Sequence, residues 1–132
     1  MKYLCLIYND EREMGTMPKP DGDKMMGEYM QFTEDIKKSG HYVGGDALQP
    51  TSTATTVRVR QNKVSTTDGP FAETKEQLVG YYILDCRDLD EAVEWAAKIP
   101  TSCQGAPGYV EVRPLRQIPK AQRMNERTER DH

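Results

Sequence analysis

The sequence contains few of the residues that define specialised classes of protein. It has three cysteines, two histidines and one tryptophan in 132 residues. Cys5, Cys86 and Cys103 are widely separated and show no paired ligand spacing, so the sequence predicts reduced thiols and no metal site. It also lacks a Gly-x-Ser-x-Gly elbow, a phosphate-binding glycine loop and a dinucleotide fingerprint. We therefore expect no cofactor and little scope for nucleophilic catalysis.

Long hydrophobic runs and concentrated positive charge are absent as well. No segment approaches the roughly 18 apolar residues that a membrane span requires, and the apolar run at the N-terminus stops at Asn9 and Asp10. The net charge is -3 and no basic stripe is present, so binding to nucleic acid is not expected. These absences indicate one cytoplasmic domain, residues 1–116, followed by a polar C-terminal tail, residues 117–132.

What the sequence does contain is a regular alternation of strand and helix patterns. Short apolar or alternating runs predict strands, and spacings of three and four predict helices. The predicted order is strand, helix, strand, hairpin, strand, helix and strand, over residues 2–8, 23–39, 41–50, 53–67, 79–86, 88–100 and 108–115. Residues 9–23 are expected to form a loop because of Pro18 and Pro20, with Asp21 or Asp23 capping the first helix.

This order is typical of an α+β, ferredoxin-like sandwich with an inserted β-hairpin. Two helices would cover one face of the sheet and leave the other open. Tyr3, Tyr81 and Tyr109 are expected on the open face, which is too apolar to stay exposed on a monomer. We therefore expect a homodimer formed through the sheet faces.

The run "TDGPFAETKEQLVGYYILD" contains the first candidate site. Gly69 and Pro70 predict a tight turn after Asp68, and Phe71 is expected to anchor that turn in the core. A rigid loop that presents Asp68 beside Glu73, Thr74, Lys75 and Glu76 suits a binding or proton-transfer site. The structural alternative is that Asp68 accepts amide hydrogen bonds within its own turn and that its charged neighbours are solvated.

Other polar side chains have the same two interpretations. Arg113 either holds an anionic group in a cleft or pairs with Glu111 across the sheet. His41 is a candidate general base, or a cation placed after the C-terminus of the first helix. Tyr81 and Tyr82 lie on opposite sheet faces, and the one that faces the cleft could bind a ligand. Arg58 and Arg60 are expected to protect an edge strand from association.

With "GGDALQPTSTATTVRV" upstream and "VEVRPL" at the other end, the run around Asp68 closely resembles the YCII-related family, in its DGPF-motif branch. The resemblance covers residues 1 to 116. It implies a ferredoxin-like fold assembled as a dimeric α/β barrel with a cleft in each subunit. Shorter relatives are thought to use a histidine and an aspartate, the histidine lying on the first helix; here that helix has none, and Tyr29 is its nearest polar aromatic residue.

The resulting functional prediction is a homodimer that binds a small polar or aromatic metabolite, with cofactor-free isomerase or lyase chemistry as a possible activity. Asp68 would act as the base and a tyrosine or Arg113 would stabilise negative charge. The predicted ligand-binding residues are Tyr29, Glu73, Lys75, Tyr81 and Arg113. The alternative is a non-catalytic regulatory or accessory protein, because family members often neighbour alternative sigma factors in genomes.

Overall fold

The computed structural model describes residues 1–101 and 108–118. Its strands are β1 (Lys2–Asn9), β2 (Tyr42–Ala47), β3 (Thr55–Arg60), β4 (Lys63–Asp68), β5 (Gln77–Asp85) and β6 (Tyr109–Pro114). The helices are α1 (Glu11–Gly15), α2 (Lys19–Lys38) and α3 (Leu89–Ala96), with a short 3-10 turn at Thr51–Thr53. The predicted polar tail and Cys103 lie largely or wholly outside the described residues.

Four strands form an antiparallel sheet in the order β2-β5-β1-β6, and β3 and β4 form a separate two-stranded sheet. Two interleaved β-α-β units produce this order. In the unit β1-α2-β2 the two strands are separated by β5, and in the unit β5-α3-β6 they are separated by β1. The α+β class with an inserted hairpin is confirmed. The structure contains antiparallel sheets and no closed barrel within the described chain.

The core lies between the sheet and the two long helices. Alternate residues of β1, beginning with Tyr3 and Cys5, face the same side as Tyr82 and Leu84 of β5. Phe32 of α2 and the small residues of α3 pack against them. Tyr3, predicted on the open face, is 3 % exposed and belongs to this core. The even-numbered residues of β1 face the other way, so the tyrosine of β1 on the open face is Tyr8 and not Tyr3.

We call the opposite side of the sheet the open face. It carries Leu4, Leu6 and Tyr8 of β1, Tyr81 and Ile83 of β5, and Tyr109, Glu111 and Arg113 of β6. As predicted, Tyr81 and Tyr82 point to opposite faces of the sheet. Along β6, Glu111 and Arg113 point to the open face, and Val110 and Val112 point to the face that the helices cover. The central residues of the open face are half-buried in the single chain, whereas Tyr109, Glu111 and Arg113 are exposed.

The prediction of a loop over residues 9–23 was wrong in two places. Asp10 caps the short helix α1 by accepting hydrogen bonds from the amides of Arg12 and Glu13. Helix α2 begins at Lys19, with Pro18 at its N-cap and Pro20 in its first turn, so neither Asp21 nor Asp23 is the capping residue. Proline is tolerated in the first helical turn because the amide groups there have no intrahelical acceptor.

Candidate functional site

The Asp68 turn is held by its backbone rather than by the aspartate. Gly69 adopts a positive φ of 95°, its amide donates to the Ala54 carbonyl at 2.7 Å, and its own carbonyl accepts from the Thr56 hydroxyl at 2.8 Å. Asp68 is exposed, and within the described chain its carboxylate takes part in no hydrogen bond or ion pair. The structural alternative, in which turn amides saturate this carboxylate, is therefore not observed.

Phe71 does not anchor the turn. Its side chain is 90 % exposed, so the expectation that it enters the core was wrong. The backbone contacts made by Gly69 already hold the turn, and the helix-facing side of the sheet is filled by residues from β1, β5 and the helices.

Downstream of the turn, the chain is tied to the end of β1 by residues that the sequence analysis missed. Gln77 donates to the Thr74 carbonyl and accepts from the amide of Glu11. The Glu11 carboxylate then accepts from both the amide and the hydroxyl of Thr51, each at 2.8 Å. These contacts join the loop, α1 and the 3-10 turn. The only sequence signal for this position of Glu11 was Asp10, a residue type that often caps a helix.

Glu73 and Lys75 are exposed in this loop. The Thr74 hydroxyl donates a hydrogen bond to the Glu76 carbonyl, which closes a small turn. The structure therefore places the charged neighbours of Asp68 on a solvated loop. Their role in ligand binding stays a prediction.

The tyrosines predicted near a ligand are divided between the two sides of the sheet. Tyr29 of α2 packs against the core, and its burial raises its pKa to about 12, with the nearby Tyr82 adding to the effect. The Tyr82 hydroxyl lies 2.7 Å from the Thr33 hydroxyl. Tyr81 is on the open face and donates to Asp46 at 3.3 Å, and the negative charge of Asp46 raises the pKa of Tyr81.

Arg113 also lies on the open face, opposite Leu4 in the register of β1 and β6. The predicted ligand-binding residues thus fall into three places: the core-facing side of α2, the open face, and the loop after Asp68. No single cleft of one described chain brings them together.

His41 lies in a compact polar cluster between the end of α2 and the start of α3. Its Nδ1 is 2.7 Å from the Ser39 hydroxyl and its Nε2 is 3.0 Å from Glu91. Glu91 also accepts from the Arg87 amide, which is the main reason its pKa is lowered, and its carboxylate forms an ion pair with the Arg87 guanidinium at 3.0 Å. Asp88 caps α3 by accepting a hydrogen bond from the Glu91 amide at 2.9 Å.

The order serine, histidine, glutamate suggests a nucleophilic triad, but the direction of the hydrogen bonds opposes that interpretation. The Ser39 hydroxyl donates to the Ile36 carbonyl at 2.7 Å, so its proton is not directed to His41. Ser39 is also the C-cap of α2. The C-terminal end of a helix carries a partial negative charge, which would disfavour ionisation of the Ser39 hydroxyl. The cluster joins two helix ends, and the catalytic role of His41 stays a prediction.

A groove of about 770 Å³ runs between α2 and the end of α3. Four residues of α2 form one wall, and the other wall comes from α3 and the segment that follows it: Glu28, Gln31, Phe32, Asp35, Trp95, Ala97, Lys98, Ile99, Pro100 and Thr101. None of these residues was among those predicted from the sequence to bind a ligand. The i, i+4, i+7 spacing of Glu28, Phe32 and Asp35 on α2 was the signal available for this wall.

The groove combines aromatic surface with charges of both signs. The rings of Phe32 and Trp95 pack edge to face, with 6.3 Å between their centroids. The Lys98 ammonium lies 4.4 Å from the centre of the Trp95 ring, and Asp35 accepts a hydrogen bond from Gln31 at 2.8 Å. An aromatic ring with an ionised substituent would find both a stacking surface and a counter-charge here.

Neither a metal-binding cluster nor a membrane-spanning helix occurs in the part of the chain that the structure describes. No three histidine, cysteine or acidic side chains in residues 1–101 and 108–118 are grouped so as to hold an ion. No helix in the same ranges is long and apolar enough to cross a bilayer.

The fold and these sites define an α+β protein with one helix-covered antiparallel sheet, an inserted hairpin and a charged aromatic groove. Residues 1–118 match the YCII-related domain, and the chain belongs to that family. It is 36 % identical over 115 residues to an uncharacterised protein of Rhizobium meliloti (strain 1021), a match that covers 87 % of this chain and 92 % of that protein.

Proposed function

We propose that this member of the YCII-related family is a homodimer that binds a small aromatic metabolite with a charged substituent. The observation that carries the proposal is the groove between α2 and α3. Its volume of about 770 Å³ lies in the range of about 300 to 1,000 Å³ that is usual for small-molecule sites.

The aromatic pair supplies affinity for a ring. Phe32 is buried at the base of the groove and Trp95 is half-buried, so a stacked ligand would remove further apolar surface from water. Glu28 and Asp35 favour a cationic substituent on the ligand. Lys98 would favour an anionic substituent once its ammonium moves away from the Trp95 ring. The ligand class is therefore a small ring compound with at least one ionised group.

Tyramine and 4-hydroxybenzoate test this proposal, because they share a phenol ring and carry opposite charges. We expect at least one to raise the melting temperature of the protein at millimolar concentration. Asp35→Asn should weaken the effect of tyramine, and Lys98→Gln that of 4-hydroxybenzoate. Glu34→Gln is the matched control, since Glu34 is exposed on the same helix and does not line the groove. If neither compound, nor a wider panel of phenols and organic acids, stabilises the protein, the proposal is wrong.

Asp68→Asn separates this groove from the site predicted at the Asp68 loop. Asp68 is not among the residues that line the groove, so its replacement should leave the stabilisation by ligand unchanged. Loss of stabilisation in Asp68→Asn would place the ligand at the loop instead. The acid/base step with Asp68 as base stays a prediction, as do the ligand-binding roles of Tyr29, Glu73, Lys75, Tyr81 and Arg113.

For the dimer, the support is the composition of the open face. Leu4, Leu6 and Ile83 form its centre, and two copies packed through this face would shield them and complete the predicted ferredoxin-like, dimeric α/β barrel. Sedimentation velocity at micromolar concentration tests this assembly, and a stable monomer would contradict it. A non-catalytic accessory role stays the alternative, and ligand binding without turnover of any compound in the panel would favour it.

A further inference from the structure

Both ring nitrogens of His41 lie beside atoms that can only accept a hydrogen bond. The Ser39 hydroxyl gives its one proton to the Ile36 carbonyl at 2.7 Å, so its oxygen is an acceptor toward Nδ1 of His41, 2.7 Å away. Nε2 lies 3.0 Å from the Glu91 carboxylate, which is ionised at neutral pH and has no proton to donate. A ring that donates from both nitrogens carries two protons and a positive charge.

The surroundings of His41 favour this charged form. Ser39 is the C-cap of α2, so the ring lies at the helix end that carries a partial negative charge. The His41 side chain is 23 % exposed and that of Glu91 is 14 % exposed, so solvent screens this pair weakly. Of the charged side chains that the structure describes, only Glu91 contacts a ring nitrogen of His41. The others on the adjoining segments are Lys37 and Lys38 of α2, Asp85 of β5, and Arg87 and Asp88 before α3.

His41 is linked to the groove through Trp95. The centres of these two rings are 5.4 Å apart, and Trp95 lines the groove whereas His41 does not. The Lys98 ammonium lies 4.4 Å from the centre of the same indole. A charged His41 and Lys98 can be no farther apart than the sum of those two distances, which is within the Debye length of about 10 Å at 0.1 M salt. The two cations therefore repel each other across one tryptophan.

We propose that protonation of His41 decides which ligand charge the groove prefers. The inference rests on the proposed ligand groove and adds its regulation by pH. With two ring protons, His41 repels Lys98 from the Trp95 ring, and the freed ammonium binds an anionic substituent. When His41 loses its charge, Lys98 stays on the indole, and Glu28 and Asp35 make the groove prefer a cationic substituent. A histidine side chain makes this change between about pH 5 and pH 8.

The protonation step is tested without any ligand. A ¹H–¹⁵N spectrum of the imidazole groups at pH 6 should show two protonated ring nitrogens for His41, which His41→Gln identifies because the chain has one other histidine, His132. Trp95 is the only tryptophan, so its fluorescence should change over the same pH range as those nitrogen signals. A single ring proton on His41 at pH 6, or Trp95 emission that does not follow its titration, would overturn the inference.

Ligand binding tests the link between His41 and the groove. Carboxylate and ammonium groups do not ordinarily titrate between pH 6 and pH 8, so a comparison of these two values isolates a histidine. The dissociation constant of 4-hydroxybenzoate should be about two- to tenfold lower at pH 6 than at pH 8, because the added charge attracts its carboxylate. The dissociation constant of tyramine should change in the opposite direction. Titrations followed by NMR measure both constants.

Two variants locate the effect. His41→Gln should bind each compound with an affinity that is the same at pH 6 and pH 8. His132→Gln removes the other histidine and is the matched control, so it should keep the pH dependence of the wild type. The measurements on the wild type stand whether or not His41→Gln folds normally, which circular dichroism checks.

The outcomes separate this inference from the function on which it rests. A protein that binds neither these compounds nor any other of the panel at either pH would overturn both. Equal affinities at the two pH values, a shift in the same direction for both compounds, or a dependence that His41→Gln retains would overturn the role of His41 and leave the ligand groove in place. A dependence in the expected direction that His41→Gln abolishes and His132→Gln keeps would support it.

Discussion

Strand β1 and the β3–β4 hairpin are both predicted from sequence as strands, yet they lie in two different environments. Residues 3–8 of β1 form an unbroken apolar run, whereas β3 alternates valine with arginine and β4 has one valine among polar residues. In β1 every second side chain from Tyr3 to Asn9 is buried beneath the helices. In β3 and β4 no residue is buried, and Val64 is 69 % exposed.

The difference shows that a local sequence pattern predicts a strand but not what covers it. Strand β1 is central in its sheet, with β5 on one side and β6 on the other, and the helices α2 and α3 lie across it. Among the residues that the structure describes, the two strands of the hairpin pair only with each other. Cross-strand pairing satisfies its inner backbone groups, but burial of its valines requires a surface that the described part of one chain does not provide.

The largest expected effect comes from truncating a side chain in the core that the helices cover. Leu84 is fully buried at the centre of the core, so Leu84→Ala should lower the free energy of unfolding by about 2 to 5 kcal/mol. Val57→Ala on the exposed hairpin should change it by less than about 0.5 kcal/mol when the protein is dilute enough to be monomeric. Urea unfolding followed by circular dichroism measures both. Equal losses would show that the hairpin is already covered within one chain.

A second, smaller effect concerns how closely β2 approaches β5. A Cβ atom on Gly45 would lie 2.7 Å from the Tyr82 ring and 2.8 Å from the Tyr81 carbonyl oxygen. Gly45→Ala should therefore cost about 1 to 3 kcal/mol, because the core cannot give way without moving β5. At the adjacent Gly44 no atom lies within 4 Å of the same position, so Gly44→Ala is the matched control and should be nearly neutral. Thermal unfolding of the pair measures the contrast.

The smallest effect is a dependence of stability on pH at the junction of the helices. The pKa of Glu91 is lowered in the folded protein, chiefly because its carboxylate accepts a hydrogen bond from the Arg87 amide. A group with a lowered folded-state pKa stabilises the fold above its unfolded pKa of about 4.3, and this contribution is lost as the pH falls through the folded value. Wild type should thus be more stable than Glu91→Gln at pH 7, and the difference should shrink below about pH 4.

Unfolding in urea at several pH values measures this dependence. Glu94→Gln, on an exposed position of the same helix, provides the control and should show no comparable change. A difference between wild type and Glu91→Gln that is constant from pH 7 to pH 3 would mean that the Arg87 contact does not distinguish the two protonation states.

Much of the fold could be predicted from local patterns. The apolar run of residues 2–8, the alternation of residues 108–115 and the hairpin predicted over residues 53–67 each reflect short-range side-chain and turn preferences, which neighbouring residues decide. The α1 helix was missed because five residues carry little periodic signal. The start of α2 was placed too late because proline was judged as a breaker rather than by its position in the first turn.

The candidate site was less accessible to prediction. Phe71 was assigned to the core from its hydrophobicity, yet it is 90 % exposed, because burial depends on which surface the loop meets. The groove residues Asp35 and Lys98 are 63 positions apart in the chain and meet only through the packing of α2 against the segment after α3. Sequence spacing contains no signal for a pairing of that kind.

By itself, the sequence determined the order of the strands and of the two longer helices and the presence of the hairpin, because backbone sterics and side-chain periodicity act over a few residues. The tertiary structure alone decided that Tyr3 is in the core, that Phe71 is in solvent and that a charged aromatic groove lies between two helices. Those outcomes depend on contacts between residues far apart in the chain, whose free energy exists only once the elements have packed.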